Sequence, residues 1–379
     1  MIVEIRRAIF GNKGAELMLH SVIEKIKERF PDAEFAIELN RRKGYSNKIE
    51  SLGCYKKVPD WNKRLSWAIL YLLPRPFLKK LGYVFLDDID VVLDAAGFAY
   101  SDQWGNGPMD ELANLTKRCK KTNKKFILLP QAFGPFNDKR NKRSLIEAVQ
   151  NSDLIFARDQ VSYDYIVHEV GKSPNLFIAP DFTNLLKGIV PDYFDKAIHQ
   201  VCLIPNDRML DKMPAEKRSM YLPLMVSIAK YLKSKEKNPF LLIHGGKADY
   251  ELAKKISDAV EGIPIVLEVD PLKIKGLISV CHSVIGSRFH GLVSALSQHV
   301  PSLATGWSHK YEMLFEDYHM EDFLLDLNTT ENQLHEKIDL LINEESRARI
   351  ILELSQASEL LKSESEKMWV KILDVIDSK

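Results

Sequence analysis

Short apolar or β-branched runs alternate along most of the chain with longer stretches whose apolar positions follow a helical period, the arrangement of βα units that build a parallel sheet. Strands are predicted at residues 3–10, 34–39, 90–95, 125–130, 154–158 and 176–179, with helices over 15–29, 109–121, 140–150 and 161–170. After Asp181 the alternation breaks into a loop holding Gly188 and Pro191. A second series follows, with strands at 201–205, 240–244, 263–269, 283–286 and 302–304 and helices at 215–233, 249–260, 271–281, 291–298 and 311–315. The stretch 331–378, charged and apolar by turns, reads as helix, its tail packing back on the first series.

This order predicts an α/β chain of two Rossmann-like domains facing a cleft, the GT-B-like arrangement, although the alternation alone also describes other paired α/β folds. The domains are expected at 1–190 and 195–345, followed by a C-terminal helix at 346–379. A length of 379 residues agrees, since single cores rarely grow so large. Lys and Arg number 53 against 52 Asp and Glu, so no overall field draws in nucleic acid, and any anion must be caught locally. Cys54, Cys119, Cys202 and Cys281 stand singly and read as buried thiols rather than a zinc site or disulfide framework. The opening MIVEIRRAIF reads as a strand and lacks the marks of a signal peptide, so a cytoplasmic location is expected. Residues 65–86 are rich in Trp, Leu, Tyr and Phe but are interrupted by Pro74, Arg75, Pro76, Lys79 and Lys80, and so fall short of the about 20 apolar residues that span a bilayer. They read either as a core helix and loop or as a peripheral membrane contact, with the basic residues facing headgroups.

Ligands of open parallel sheets bind beyond the carboxyl ends of the strands, where helix N-termini offer N–H groups. Gly11-Asn12-Lys13-Gly14 is a small-residue turn after the first strand; it suits close approach to a ligand or mere strand-to-helix geometry, and its spacing supports neither a dinucleotide nor a P-loop site. The loop GFAYSDQWGNG at 97–107 mixes aromatics with small polar groups, suited to a sugar or to a plain surface connection. VIGSRFH at 284–290 brings Arg288 and His290 to a strand end just before a small-residue helix. A guanidinium can grip a carboxylate or phosphate and an imidazole can exchange a proton near neutral pH, so this point suits an anionic substrate that needs acid catalysis. Asp159 is the expected N-cap of the helix after FARD, which leaves Arg158 to reach the cleft. Gln131, Asp181 and His244 also stand at strand ends. His282, His290, His299 and His309 show no metal-ligand spacing.

The turn at 11–14, LLPQAFGPF at 128–136, FARD at 156–159 with Ser162, APD at 179–181, HGG at 244–246 and GSRFHG at 286–291 resemble, in their order, the polysaccharide pyruvyl transferase family over roughly residues 10–307. Two departures stand out: Lys13-Gly14-Ala15-Glu16 where the family usually has an Asp after its Gly, and Ala132 where Ser is common. The resemblance implies a GT-B-like fold, phosphoenolpyruvate as co-substrate with no other cofactor, and transfer of pyruvate to two hydroxyls of one sugar in a surface glycan or its lipid-linked precursor. Two Arg side chains are a sensible minimum for a donor with phosphate and carboxylate. The donor side is then Arg158, Arg288, Phe289, Gly291 and His244. His290 is the expected proton donor, with Asp94 or Asp181 to help remove a hydroxyl proton. Asn12, Gly14, Tyr100, Trp104 and Gln131 are the expected acceptor contacts, on the first domain. The runner-up is a nucleotide-sugar-dependent glycosyltransferase, for which Glu268 would meet a ribose. A non-catalytic glycan-binding subunit has no need of an anion grip beside a proton carrier.

Overall fold

Eight strands form the first sheet: β1 (Ile2–Arg6), β2 (Glu34–Glu38), β3 (Tyr55–Lys57), β4 (Tyr83–Val84), β5 (Val91–Asp94), β6 (Lys125–Gln131), β7 (Leu154–Ala157) and β8 (Leu176–Ile178). Six form the second: β9 (Val201–Ile204), β10 (Pro239–Leu242), β11 (Ile265–Val266), β12 (Ser283–Gly286), β13 (Ser302–Thr305) and β14 (Leu324–Leu325). The orders are β4-β3-β2-β1-β5-β6-β7-β8 and β11-β10-β9-β12-β13-β14. Within each sheet the strands pair in parallel, for example Val3 with Val91 and Ile285 with Leu203. The order reverses beside β1 in one and beside β9 in the other, which marks the binding crevice of a doubly wound sheet. The computed structural model describes residues 1–8, 10–39, 44–59, 68–306 and 308–378, with only the backbone of 68 and 69.

Both faces of the second sheet are covered, as parallel strands require. Val201, Leu203, Leu241 and Ile285 join one apolar cluster, while Cys202, Ile204, Phe240, Leu242 and Val284 join another. Alternate residues thus feed opposite faces. All four cysteines are buried free thiols.

The chain divides into two compact units, one of Met1–Phe10, Met18–Asp181 and Glu366–Lys379, the other of Gly11–Leu17 and Phe182–Ser365. The divide falls after Asp181 rather than near residue 190, and the turn after β1 goes to the second unit. Within the first unit, Trp369 and Ile372 of the last helix are buried, Lys25 meets Glu366 at 2.9 Å, and Lys371 Nζ lies 4.4 Å from the Phe177 ring centre.

Several elements differ from the sequence reading. The first strand ends at Arg6 rather than 10, and Ile9 lies outside the described residues, as do residues 65–67 and Trp307. The helix expected at 215–233 is two, Ala215–Arg218 and Tyr221–Ser234, because Pro223 is accommodated only in a first turn. The stretch 331–378 is also two helices, Glu331–Ile342 and Glu344–Asp377; Asn343 separates them and its side chain accepts from Glu345 and Ser346 N–H, both at 3.1 Å. Residues 68–81 fold as two short helices, Ala68–Leu72 and Arg75–Lys80, split at Pro74. β3 escapes the hydrophobic reading because it carries Lys56 and Lys57, and β4 because it is only two residues long. Lys57 is buried against Glu4 of β1 at 2.7 Å, so a charged residue serves in the core.

Candidate active site

In the second unit the crevice lies between β9 and β12, and four strand ends supply its walls. Gly286 pairs with Ile204, and Ser287 N–H donates to the Ile204 carbonyl at 3.0 Å, extending the pairing by one residue. Asn206, after β9, donates to the Ser287 carbonyl at 2.6 Å, and Tyr311 donates to the same oxygen at 2.9 Å. The Ser287 hydroxyl lies 2.8 Å from that of Tyr221 and 2.6 Å from that of Thr305, a buried hydroxyl chain that fixes the residue before Arg288.

Arg288 is the N-cap of the helix Phe289–Leu296, in extended backbone. Its guanidinium is held by two carboxylates: Nε donates to Asp249 at 2.8 Å, and Nη2 donates to Asp207 at 2.6 Å and to Asp249. The guanidinium expected to grip an anion is thus already held by two carboxylates, and only Nη1 lacks one among the described residues. Burial works against the Arg288 charge, but Asp249 and Asp207 outweigh it and raise its pKa. Burial pushes the Asp249 carboxyl up, against the pull of Arg288. The pair needs the HGG turn: a Cβ at Gly245 would stand 2.2 Å from Asp249 Oδ2 and 2.5 Å from Arg288 Nη2.

His244 follows β10 and is buried, and its Nε2 has no hydrogen-bond partner among the described residues. Burial first, then Arg288, His290 and Lys13, push its pKa down to about 3, so this imidazole is neutral near pH 7. Gly291 lets the helix approach: a Cβ there would lie 2.9 Å from Ile204 Cδ1 and 3.5 Å from His244 Cδ2. Gly291 thus acts through packing.

His290 packs on the turn 11–14. A Cβ on Gly14 would fall 2.1 Å from His290 Nδ1 and 2.4 Å from its Cγ, so only glycine leaves room for the ring. Asn12 Oδ1 accepts from Gly14 N–H at 3.1 Å, and Glu16 accepts from Gly11 N–H at 2.8 Å, which together shape the turn. Lys13 is buried, 3.2 Å from Glu16, and donates to the Val269 carbonyl. Asn12 and Gly14, expected among the acceptor contacts of the first domain, therefore belong to the second unit and build the seat of His290. Phe289, expected at the donor, is in the core, edge-on to His290 at 5.3 Å and to Tyr311 at 5.9 Å.

The first unit holds the remaining predicted residues except Glu268, which belongs to the second. Asp159 does cap its helix, accepting from Ser162 N–H at 2.7 Å. Arg158 does not reach out freely: it is buried, with Nη1 3.4 Å from the buried Asp181, so guanidinium and carboxylate face each other. Asp94 is buried between Arg6 at 3.3 Å and the Tyr100 hydroxyl at 2.8 Å. Tyr100 has no exposed surface, and burial and Asp94 push its phenol pKa up, so it cannot stack on a sugar. Of the aromatics proposed for acceptor contact only Trp104 has an exposed surface, its ring 6.1 Å from Phe98. Gln131 is buried, and neither amide atom has a partner among the described residues. Glu268, the residue that would meet a ribose, is occupied by the N–H groups of Val269 and Asp270 and by the Tyr193 hydroxyl.

Sequence reasoning missed Asp249, Asp207 and Lys13. One signal was available: Asp207 follows β9 as Arg288 follows β12, and strands on the two sides of a reversal bring their end residues together.

The fold is shared widely. Neisseria meningitidis UDP-GlcNAc 2-epimerase bound to UDP-GlcNAc aligns with a TM-score of 0.56 at 13% identity over 97% of this chain and 100% of its own. S. aureus MnaA with UDP aligns with a TM-score of 0.58 at 14% identity over 100% and 98%. Anabaena HepE in complex with UDP gives 0.59 at 13% over 100% of both. These likenesses place the chain among two-Rossmann-domain proteins of the GT-B type. No curated protein matches it in sequence. The model of the family described as polysaccharide pyruvyl transferase matches residues 12–309, from the turn beneath His290 through the Arg288 strand end and beyond, and the chain belongs to that family.

Proposed function

We propose that this chain transfers pyruvate from phosphoenolpyruvate to two hydroxyls of one sugar unit of a polysaccharide or its lipid-linked precursor, releasing phosphate. The observation that carries the reading is the second-unit crevice itself, where Arg288, a neutral His244 and His290 meet at the start of one helix. Arg288 Nη1 and the first N–H groups of that helix suit an anion. Of the two imidazoles, His244 is held neutral and cannot serve as an acid near pH 7, which leaves proton delivery to His290.

His290 gives a proton to the methylene carbon, whose π electrons form the new C–H bond, and one sugar hydroxyl oxygen bonds to the adjacent carbon. The bond from that carbon to the phosphate oxygen breaks, and the second hydroxyl closes the ketal. One hydroxyl proton returns to His290 and the other leaves on the phosphate. Asp94 and Asp181, both engaged in buried pairs, are not needed.

Phosphate release from phosphoenolpyruvate that depends on an added glycan, with a pyruvate ketal found on that glycan by mass spectrometry, is the expected result. Acceptor turnover with nucleotide sugars and none with phosphoenolpyruvate would overturn the reading.

A further inference from the structure

Four large apolar side chains stand in solvent within ten residues of the first unit: Leu72 at 81%, Leu73 at 38%, Phe77 at 52% and Leu81 at 51% exposure. Scattered exposed leucines are ordinary. These are not scattered, since they occupy the outer side of the helices Ala68–Leu72 and Arg75–Lys80 and the turn after them. The inner side is packed: Leu78, Val84, Phe85 and Leu86 are buried.

Helices of five and six residues do not persist alone. These are fastened by tertiary contacts. The Tyr71 ring meets Phe85 edge-on at 4.8 Å and its hydroxyl donates to the Pro59 carbonyl at 3.1 Å; the Arg75 guanidinium lies 3.6 Å from the Phe85 ring centre and 3.4 Å from both Asp87 and Asp88. The outer apolar side chains are thus presented on a fixed platform.

Charge selects the occupant. Among the described residues from 70 to 86 the sequence carries Arg75, Lys79 and Lys80 and no acidic residue, with Asp87 and Asp88 following directly. Arg75 is spent on Asp87 and Asp88, and Lys79 reaches Glu34 at 3.5 Å while remaining 47% exposed. Lys80 has no partner among the described residues. Among those residues no helix is long and apolar enough to cross a membrane.

We propose that this face docks on an anionic lipid bilayer, with Leu72, Phe77 and Leu81 entering the boundary between headgroups and acyl chains and Lys79 and Lys80 meeting headgroup phosphates. Apolar insertion combined with basic flanks is how a surface-bound segment attaches without spanning. The inference is independent of the donor and of the chemistry proposed above.

The test is co-sedimentation of the full chain with vesicles of phosphatidylcholine alone and of phosphatidylcholine with phosphatidylglycerol. Binding to the anionic vesicles is expected, at least about tenfold weaker on the neutral ones. Replacing Leu72, Phe77 and Leu81 together by Ser should lower binding about a hundredfold or more, with an unchanged melting temperature. Lys79→Glu with Lys80→Glu should lower binding to anionic vesicles alone. A control pair, Leu352→Ser and Leu360→Ser, changes equally exposed leucines elsewhere and should bind as wild type. Absence of vesicle binding, equal binding by the triple-Ser variant, or equal loss in the control pair would overturn the proposal. So would a concentration-dependent dimer that the triple-Ser variant abolishes while wild type ignores vesicles, because that assigns the face to a second copy of the chain.

Discussion

Gly14→Ala adds one methyl group and should disable the site through His290. The new Cβ would stand 2.1 Å from His290 Nδ1, 2.4 Å from Cγ and 2.9 Å from Cβ. Ordinary contact begins at about 3.5 Å, so either the ring or the turn must retreat by about 1 Å or more. The ring cannot yield at its far end, because the clash includes its own Cβ on the helix Phe289–Leu296. The turn is held by Asn12 Oδ1 on Gly14 N–H and by Glu16 on Gly11 N–H. Overpacking of this kind costs about 1–3 kcal/mol of stability. A reacting group displaced by about 1 Å loses roughly a hundredfold in rate. Phosphate release at saturating donor should therefore show kcat lowered about a hundredfold with KM for phosphoenolpyruvate little changed, and denaturant titration should show the stability loss. In Gly14→Ala combined with His290→Ala the ring contacts vanish and only the 2.9 Å contact with the remaining Cβ is left, so the stability costs should be less than additive. Wild-type turnover in Gly14→Ala, or strictly additive stability losses, would show that the turn does not seat the imidazole.

His290→Gln keeps a hydrogen-bonding side chain but cannot transfer a proton, so kcat should fall by about 10²–10⁴ with donor affinity by calorimetry nearly unchanged; near-normal turnover would move the proton donor elsewhere. Arg288→Lys retains the charge beside Asp249 but loses the fork, and donor titration should show affinity about tenfold to a hundredfold weaker. Arg158→Ala removes a buried guanidinium from beside the buried Asp181 and should cost about 3–5 kcal/mol in denaturant titration; a stable variant with weakened donor binding would restore Arg158 to the donor site. His244 has a folded pKa lowered to about 3, so the unfolded chain takes up the proton first as pH falls. Its contribution is intact above about pH 6.5, and stability drops by up to about 1.4 kcal/mol per pH unit below that until about pH 3; His244→Asn should flatten this part of the profile.

Most strand ends were legible because the apolar run stops close to where the strand does, as at Ala157 and Gly286, and this places Arg158, His244, Arg288 and His290 at carboxyl ends. What each side chain does there was not, because the answer lies in residues distant in sequence. Asp249 pairs with Arg288 across 39 positions, and nothing in HGGKAD marks that aspartate as more than a first-turn carboxylate. Tyr100 looked like a sugar platform within a polar loop, yet Asp94 and the core take it inside. The turn at 11–14 reads as a first-domain feature by its place in the chain. Only the close approach of Gly14 to His290 reveals its role, and a missing Cβ leaves no trace in hydrophobic periodicity. Lys57 hid β3 for the opposite reason, a charge in the core that the pattern reads as surface.

The carboxylates around Arg288 also bear on how fast a donor can arrive. Lys13 and Arg288 are outnumbered by Glu16, Asp207 and Asp249, and the whole chain has a formal charge of only +1. Such a crevice projects little attractive potential toward a multiply charged anion, so long-range steering should contribute little to association. Encounter rates measured by stopped flow should vary only weakly with ionic strength, and discrimination among anions should reside in dissociation, after the ligand has met Nη1 and the helix start at close range.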